Sequence, residues 1–544
     1  MSRRPPLLGA RRWVALAILV ALALGQAMTM IVTAFATRDI FMYLRDGGAA
    51  PPNGALFAIA TAGLALCLLR ALEGRVGEGA GQSYAAAIRR TLFRHVTRMP
   101  SRAIAERRSG ALALRYVGDL AAFKGWIARG LARLISAAIT IPAALLILYI
   151  LEPALLWAAL GPLSAVLLCI WLLGRPLGAA HATLRSRRAG LAAAMAERLP
   201  QGIALRRAGR MRTELKALTA RSRAVAEAGV HREWLAATVR ALPDAGAGLA
   251  GALCLWACLR LGLGVPEAVA ALTALAMVVW PLRHLADVAD RRRAYVVARD
   301  KLDRMLATDR LPTPSKSAGE TEAPAIRIAQ AETPGGAPLT LTLGRGEMRR
   351  LAGPSGAGKT TLLLALAGHD RVPAAEQFEV CGVAPGALTT GRVLYLGRQA
   401  PTLRGSLRRE VTIGLGRSPD DDEIANALDA AGLSELRVRL DGPDGQIAEG
   451  RRNLTATEQA GLHIARALLA RPDLALIDAD ELGLGHGGLA RLVAHLAKVG
   501  SAALIVTSEP AAILRLGEPV RLSPGTSTPP TEVDRPKPVA GRVA

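Results

Sequence analysis

Long stretches without a single charged side chain constrain this chain before any other feature is weighed. Trp13 to Thr37, Leu134 to Leu151 and Ala154 to Gly174 contain no Asp, Glu, Lys or Arg, and each is close to or beyond the roughly 20 apolar residues that a helix needs to cross a bilayer. Six hydrophobic segments long enough for a span can be drawn, at about residues 13–37, 52–70, 131–151, 154–174, 243–261 and 265–283. The last two are the weakest, because Arg260 and Glu267 flank the short Gly-containing turn between them, where long side chains can snorkel to the interface. A topology of four spans is the alternative. Basic residues orient the set: Arg3, Arg4, Arg11 and Arg12 precede the first segment, and Arg89, Arg90, Arg94, Arg98, Arg102, Arg107 and Arg108 fill the connection after the second. Glu152-Pro153, between the third and fourth, has none. Basic loops stay on the cytoplasmic side, so the N-terminus is expected there. Ala34-Phe35-Ala36 resembles a signal-peptide cleavage site, but the apolar run before it is longer than a typical signal core, and an uncleaved span is expected.

The formal charge of +24 raises the possibility of a nucleic-acid partner. Its excess is mostly Arg gathered beside the apolar segments, and only 3% of residues are aromatic, too few for a surface that stacks on bases. No nucleic acid is expected. The five cysteines, Cys67, Cys169, Cys254, Cys258 and Cys381, show no metal-ligand spacing, and four lie in apolar segments, where a thiol is usually a small buried hydrophobe.

Arg- and Ala-rich stretches of good helix formers separate the second segment from the third and the fourth from the fifth, and read as helices continuing into the cytoplasm. Residues 1–307 therefore form the transmembrane domain. Pro, Ser, Thr and Gly dominate residues 308–324, a linker. Residues 325–523 alternate short apolar runs with helical ones, an α/β pattern, and residues 524–544, rich in Pro and Thr, are expected to be disordered.

Within the α/β region, Gly353-Pro354-Ser355-Gly356-Ala357-Gly358-Lys359-Thr360 is a complete phosphate-binding loop, followed by Thr361. Its glycines let backbone N–H groups close around phosphate oxygens, Lys359 reaches the β- and γ-phosphates, and the Thr360 hydroxyl can hold Mg²⁺. ATP with Mg²⁺ is the expected ligand. Leu474-Ala475-Leu476-Ile477-Asp478 is a buried-strand run ending in a carboxylate suited to orienting that metal or its water shell.

Six spans, two long cytoplasmic excursions and one phosphate-loop domain resemble a half-transporter of the ATP-binding cassette (ABC) exporter family. The first excursion is similar to that family's first intracellular loop through Arg89 to His95, Met99-Pro100, Ser109-Gly110 and Asp119, and the second through Glu197 to Ile203. In the family these loops seat on the nucleotide-binding domain and transmit its motion. The resemblance implies a membrane all-α six-helix exporter-type domain followed by an α/β P-loop NTPase domain of ABC type. It also implies a multi-pass protein of the plasma membrane, with its N-terminus and nucleotide-binding domain cytoplasmic. Gln399, after the strand Val393 to Leu396, stands at the position of the family's Mg²⁺-coordinating glutamine, and Asp478 at that of its Walker B aspartate.

The chain then departs from the family pattern. Ala479 replaces the glutamate that polarises water, and Ser508 replaces the switch histidine. Asp480 and Glu481 follow, but successive positions aim differently, so neither replaces the glutamate automatically. The Leu-Ser-Gly-Gly-Gln signature is Leu454-Thr455-Ala456-Thr457-Glu458 here, where Thr455 and Glu458 also make a helix capping box. No aromatic residue lies between Tyr295 and Phe378 to stack on a base, and Arg349-Arg350 interrupts the strand entering the phosphate loop. No catalytic residue is assigned with these substitutions. The expectation is the degenerate half of a heterodimeric exporter whose partner is a more complete ABC half, binding ATP and hydrolysing it poorly. The alternative is a non-transporting membrane regulator or assembly subunit that uses ATP as a structural ligand. An apolar span lining leaves the cargo open.

Overall fold

The computed structural model describes residues 4–7, 9, 12–46, 52–105, 120–312, 316–317, 320, 322–333, 337–397, 405–448, 452–509 and 516–522. Their contacts divide into two compact units, one drawn from Met1–His95 with Gly110–Thr308 and the other from Val96–Ser109 with Asp309–Ala544.

The first unit is helical. Among the described residues, six helices are long and apolar enough to cross a membrane: α1 (Arg12–Asp46), α2 (Asn53–Val96), α4 (Leu120–Leu151), α5 (Pro153–Arg207), α6 (Met211–Leu261) and α7 (Val265–Leu306). The last two qualify in spite of Arg260 and Glu267, which resolves the choice between four spans and six. Arg38 of α1 donates to Glu267 at 3.1 Å, so that acid is paired. Trp157, Trp171, Leu64 and Leu259 are exposed, as lipid-facing side chains of a membrane protein are.

Polar groups inside this unit satisfy one another. Gln26 donates to Glu73 at 2.7 Å and accepts from Ser136 at 3.1 Å, all three being buried, and Thr140 donates to the Ser136 carbonyl at 2.8 Å. Residues Trp126–Leu131 of α4 wind as a π-helical turn. Gly77 and Gly81 of α2 lie against it: a Cβ at Gly77 would collide with the Ala128 carbonyl, and one at Gly81 would come within 2.8 Å of the Lys124 carbonyl. Small residues one turn apart let two helix backbones approach where no water drives them together. In α5, the chain around Leu199–Gln201 tightens into a 3₁₀ turn with Leu199 and Ile203 exposed.

The second unit is built on strands β1 (Ile326–Ala331), β2 (Leu339–Leu343), β3 (Met348–Ala352), β4 (Gln377–Val380), β5 (Val393–Leu396), β6 (Gly405–Ser406), β7 (Gln446–Ile447), β8 (Leu474–Asp478), β9 (Ala502–Val506) and β10 (Gly517–Arg521). An antiparallel sheet has the order β2-β1-β4, and a parallel sheet the order β10-β3-β9-β8-β5. Its helices are α8 (Lys359–Leu366), α9 (Leu407–Thr412), α10 (Asp421–Ala430), α11 (Ser434–Arg439), α12 (Ala456–Leu469), α13 (Ala479–Leu482) and α14 (His486–Lys498). The period of two along a strand divides the core. Ala475, Ile477, Ala503 and Ile505 join one cluster, with α9, α10, α12 and α14, whereas Leu474, Leu476, Ala502 and Leu504 join the other, with α8 and the antiparallel sheet. Both faces of β8 and β9 are thus covered, and their sequences read as unbroken apolar runs.

Arg349 and Arg350 interrupt β3 yet are accommodated at half-buried positions, Arg349 pairing with Glu347. A short helix from the first excursion, α3 (Ser101–Ala105), also belongs to this second unit. Its Ser101 amide donates to the His369 carbonyl at 2.9 Å, and the Leu311 amide donates to the Arg98 carbonyl at 2.7 Å. Ser109, Gly110 and Asp119 lie outside the described residues, as does the tail 524–544.

Candidate nucleotide site

In an open parallel sheet, ligands bind beyond the carboxyl ends of the strands, and here those ends gather the expected groups. The loop Gly353 to Gly358 leaves the end of β3 and enters α8. Gly356 and Gly358 take φ of 85° and 91°, values that side-chain-bearing residues adopt at a cost. They turn the chain so that the first amides of α8 open onto the loop, the anion-binding arrangement of a helix start. Ala357 is buried, its amide donating to the Pro354 carbonyl at 3.2 Å, while Ser355 is exposed and Thr361 half-buried in the first turn.

Lys359 Nζ donates to the carbonyls of Gly353 and Pro354 at 2.8 and 2.9 Å, which holds the ammonium over the loop. Thr360 Oγ1 donates to Asp478 Oδ2 at 2.8 Å, although 118 positions separate them. A hydroxyl and a buried carboxylate this close are a matching pair of oxygen ligands for a hard cation such as Mg²⁺. The donor set therefore fits a magnesium-bound triphosphate: loop amides and Lys359 for the phosphates, Thr360 and Asp478 for the metal. Gln399 lies outside the described residues.

Hydrolytic groups are arranged differently. Ala479 opens α13 with its side chain buried in the apolar cluster beneath α14, so the position after Asp478 presents no proton acceptor. Asp480 is occupied elsewhere: its Oδ1 accepts from both the amide and the hydroxyl of Ser508, at 2.8 and 3.0 Å. The two substituted positions are thereby joined through an exposed acid that sequence reading left without a role. The second Asp of Asp478-Ala479-Asp480-Glu481 carries no sequence signal of such a partner. Tyr395 on β5 has a buried hydroxyl with no hydrogen-bond partner among the described residues. Burial, reinforced by the negative charges of Glu481 and Asp478, raises its pKa well above the usual phenol value and keeps it neutral.

At the altered signature, Thr455 caps α12 by accepting from the Glu458 amide at 3.2 Å, and Glu458 Oε2 returns a bond from the Thr455 amide at 2.7 Å. Arg439 holds the same carboxylate at 2.9 Å. Glu458 is thus turned back onto its own helix start. Burial pushes its pKa up, but the Thr455 amide and Arg439 together outweigh that and leave it below the ordinary 4.5. A carboxyl depressed on folding contributes stability that is complete above its unfolded pKa and is lost as pH falls through its folded one. Glu458→Gln keeps the capping box, which Gln also completes, and removes only the charge facing Arg439, so it is expected to cost about 0.2–1 kcal/mol near neutrality, the difference from wild type vanishing as pH falls through the lowered pKa of Glu458. Unfolding followed across that pH range checks it.

Comparison with known proteins agrees with this geometry. Residues 15–203 match the family model of the ABC transporter transmembrane region and residues 337–480 that of the ABC transporter. The structure superposes on that of a bacterial Atm1-family ABC exporter with ATP bound, with a TM-score of 0.74, 18% identity and coverage of 92% of this chain and 91% of that one. The mycobactin import ATP-binding/permease protein IrtB of Mycolicibacterium thermoresistibile is 30% identical over 259 residues, 45% of this chain and 44% of its own length. The namesake from Mycolicibacterium smegmatis is 28% identical over 234 residues, or 41% and 40%. A phosphonates import ATP-binding protein, PhnC 1 of Pseudomonas syringae pv. syringae, is 36% identical over 154 residues, 26% of this chain and 57% of that protein. The matches to the two IrtB proteins span less than half the length of each.

Proposed function

From the premise that this chain is an ABC half-transporter, a multi-pass transmembrane region and an ATP-binding domain in one polypeptide with an exporter-type fold, we propose that it binds Mg-ATP and splits it poorly. It then serves as the degenerate half of a heterodimer in the plasma membrane. The observation that carries this reading is the contrast within one site. Thr360 and Asp478 are set 2.8 Å apart to share a metal, while the next position is Ala479 and the nearby Asp480 is bonded to Ser508. Among the described residues the binding groups are present, and neither Ala479 nor the engaged Asp480 offers a base to take a proton from water. Loss of a general base lowers turnover by roughly 10²–10⁴, so a second half with a more complete site is required for a working cycle. The basic connection between α2 and α4 supports a cytoplasmic ATP-binding domain.

Purified alone in lipid nanodiscs, the protein is expected to bind Mg-ATP saturably and to turn it over at least roughly a hundredfold more slowly than a competent ABC ATPase. Robust turnover that disappears in Lys359→Ala would overturn the degenerate site. Recovery of a second ABC half on gentle solubilisation, with turnover restored, supports the heterodimer; a homodimer that transports nothing favours the regulatory or assembly role.

Export is supported by the exporter-type fold, whereas the names of the two mycobacterial relatives favour uptake. Metabolite profiles of cells lacking the protein separate these readings. Export leaves the substrate accumulated in the cells, and uptake leaves it in the medium.

A further inference from the structure

A cavity of about 420 Å³ lies in the helical unit, walled by α2, α4 and α7. Arg70, Lys124, Arg129 and Arg133 line it, and its acids are Glu73 and Glu78. Most of these charges are answered within the fold. Lys124 pairs with Glu78 at 2.9 Å, Arg133 pairs with Asp287 at 2.8 Å, and the Glu73 carboxylate accepts from Gln26. Arg70 and Arg129 are left: among the described residues neither has a hydrogen bond or an ion pair, and both are exposed. The Arg70 guanidinium lies 4.2 Å from the centre of the Trp280 ring, which also lines the cavity. Stacking on a ring face leaves the in-plane N–H donors for a ligand. Arg129 belongs to the π-helical turn Trp126–Leu131, an irregularity that recurs at functional sites. Arg291 of α7 adds its field to those of Arg129 and Arg133, so cations outnumber acids around the cavity.

Depth in the bilayer narrows the choice of anion. Arg70 closes the second apolar segment, Arg129 and Arg133 flank the start of the third, and Trp280 lies in the last turn of the sixth. All three places are at the end that bears the basic connection between α2 and α4, the level at which headgroup phosphates lie and Trp and Arg anchor. We infer that this cavity binds a phosphate oxyanion through Arg70 and Arg129, either the headgroup of an acidic phospholipid or a soluble phosphate ester. Guanidinia from two helices supply charge-assisted bonds to its oxygens. The ligand thereby bridges α2 and α4 where Gly77 and Gly81 already let them approach. This site is independent of the phosphate loop.

The test uses the full chain, stripped of lipid in a mild nonionic detergent, and native mass spectrometry with phosphatidylglycerol, phosphatidylcholine and glycerol 3-phosphate. Phosphatidylglycerol carries a net negative charge and phosphatidylcholine none. Wild type is expected to hold phosphatidylglycerol roughly tenfold or more tightly than phosphatidylcholine, and Arg70→Gln with Arg129→Gln to lose that preference. Arg206→Gln with Arg207→Gln removes the same charge from exposed positions of α5 and is expected to retain it. A lipid preference lost only in the cavity variant assigns the site to the lipid. Glycerol 3-phosphate bound by wild type and not by the cavity variant, with the two lipids held alike, assigns it to a soluble ester. Equal retention of both lipids with no glycerol 3-phosphate bound overturns the inference. So does selective binding that survives the cavity variant, or that falls equally in the α5 variant and therefore reflects general attraction to a basic chain. Should a thermal melt show the double cavity variant unfolded, Arg129→Gln alone carries the same comparison, with a severalfold loss expected.

Discussion

Lys359→Ala is expected to weaken Mg-ATP binding by roughly a hundredfold or more, the contribution of charge-assisted bonds to two phosphates, without loss of fold. The ammonium's bonds to the carbonyls of Gly353 and Pro354 hold it over the loop. Both acceptors belong to a surface loop, so removing the side chain leaves no buried group without water. Isothermal titration with Mg-ATP, alongside a thermal melt, separates the two effects. Unchanged affinity in a folded variant would mean that the loop does not grip phosphates in the way its residues imply.

The second large effect concerns stability. Arg466 of α12 and Glu410 of α9 are 2% exposed, and the guanidinium donates to the Glu410 carbonyl at 2.7 and 3.2 Å and to its carboxylate at 3.3 Å. Both sit where α9 and α12 pack in the apolar cluster. Arg466→Met removes the cation facing a buried carboxylate, and breaking such a pair from one side costs about 3–5 kcal/mol. The double replacement Arg466→Met with Glu410→Leu is expected to recover most of that loss, because no buried charge then remains. Hydrogen exchange over α9 and α12 in the full chain measures both. A single variant as protected as wild type would show that the pair is solvated.

Some of this was legible along the chain because the signals are local. A charge-free run long enough for a bilayer, and glycines spaced for a phosphate loop, are complete within a few turns of sequence. The spans were therefore found even where Arg260 and Glu267 weakened the fifth and sixth, and so was the capping box of Thr455 and Glu458. Glu458, however, read only as half of that capping box, and the structure pins it there more firmly. The reason is Arg439, nineteen positions away, whose approach depends on how α11 packs near α12. Asp370 had no signal at all: an acid in the turn Gly368-His369-Asp370-Arg371 looks solvated until the fold buries it.

What the sequence by itself determined is the kind of element at each place: six spans, a phosphate loop, a strand ending in Asp478, and an alanine where a proton acceptor would stand. Only the tertiary structure decided which side chains answer one another. Thr360 meets Asp478, Ser508 meets Asp480, and Asp370 comes to line a cavity beside the phosphate loop. The physical reason is that the parallel sheet brings the carboxyl ends of β3, β8 and β9 to one edge. Hydrogen bonds across that edge depend on strand order and register, which no run of neighbouring residues encodes.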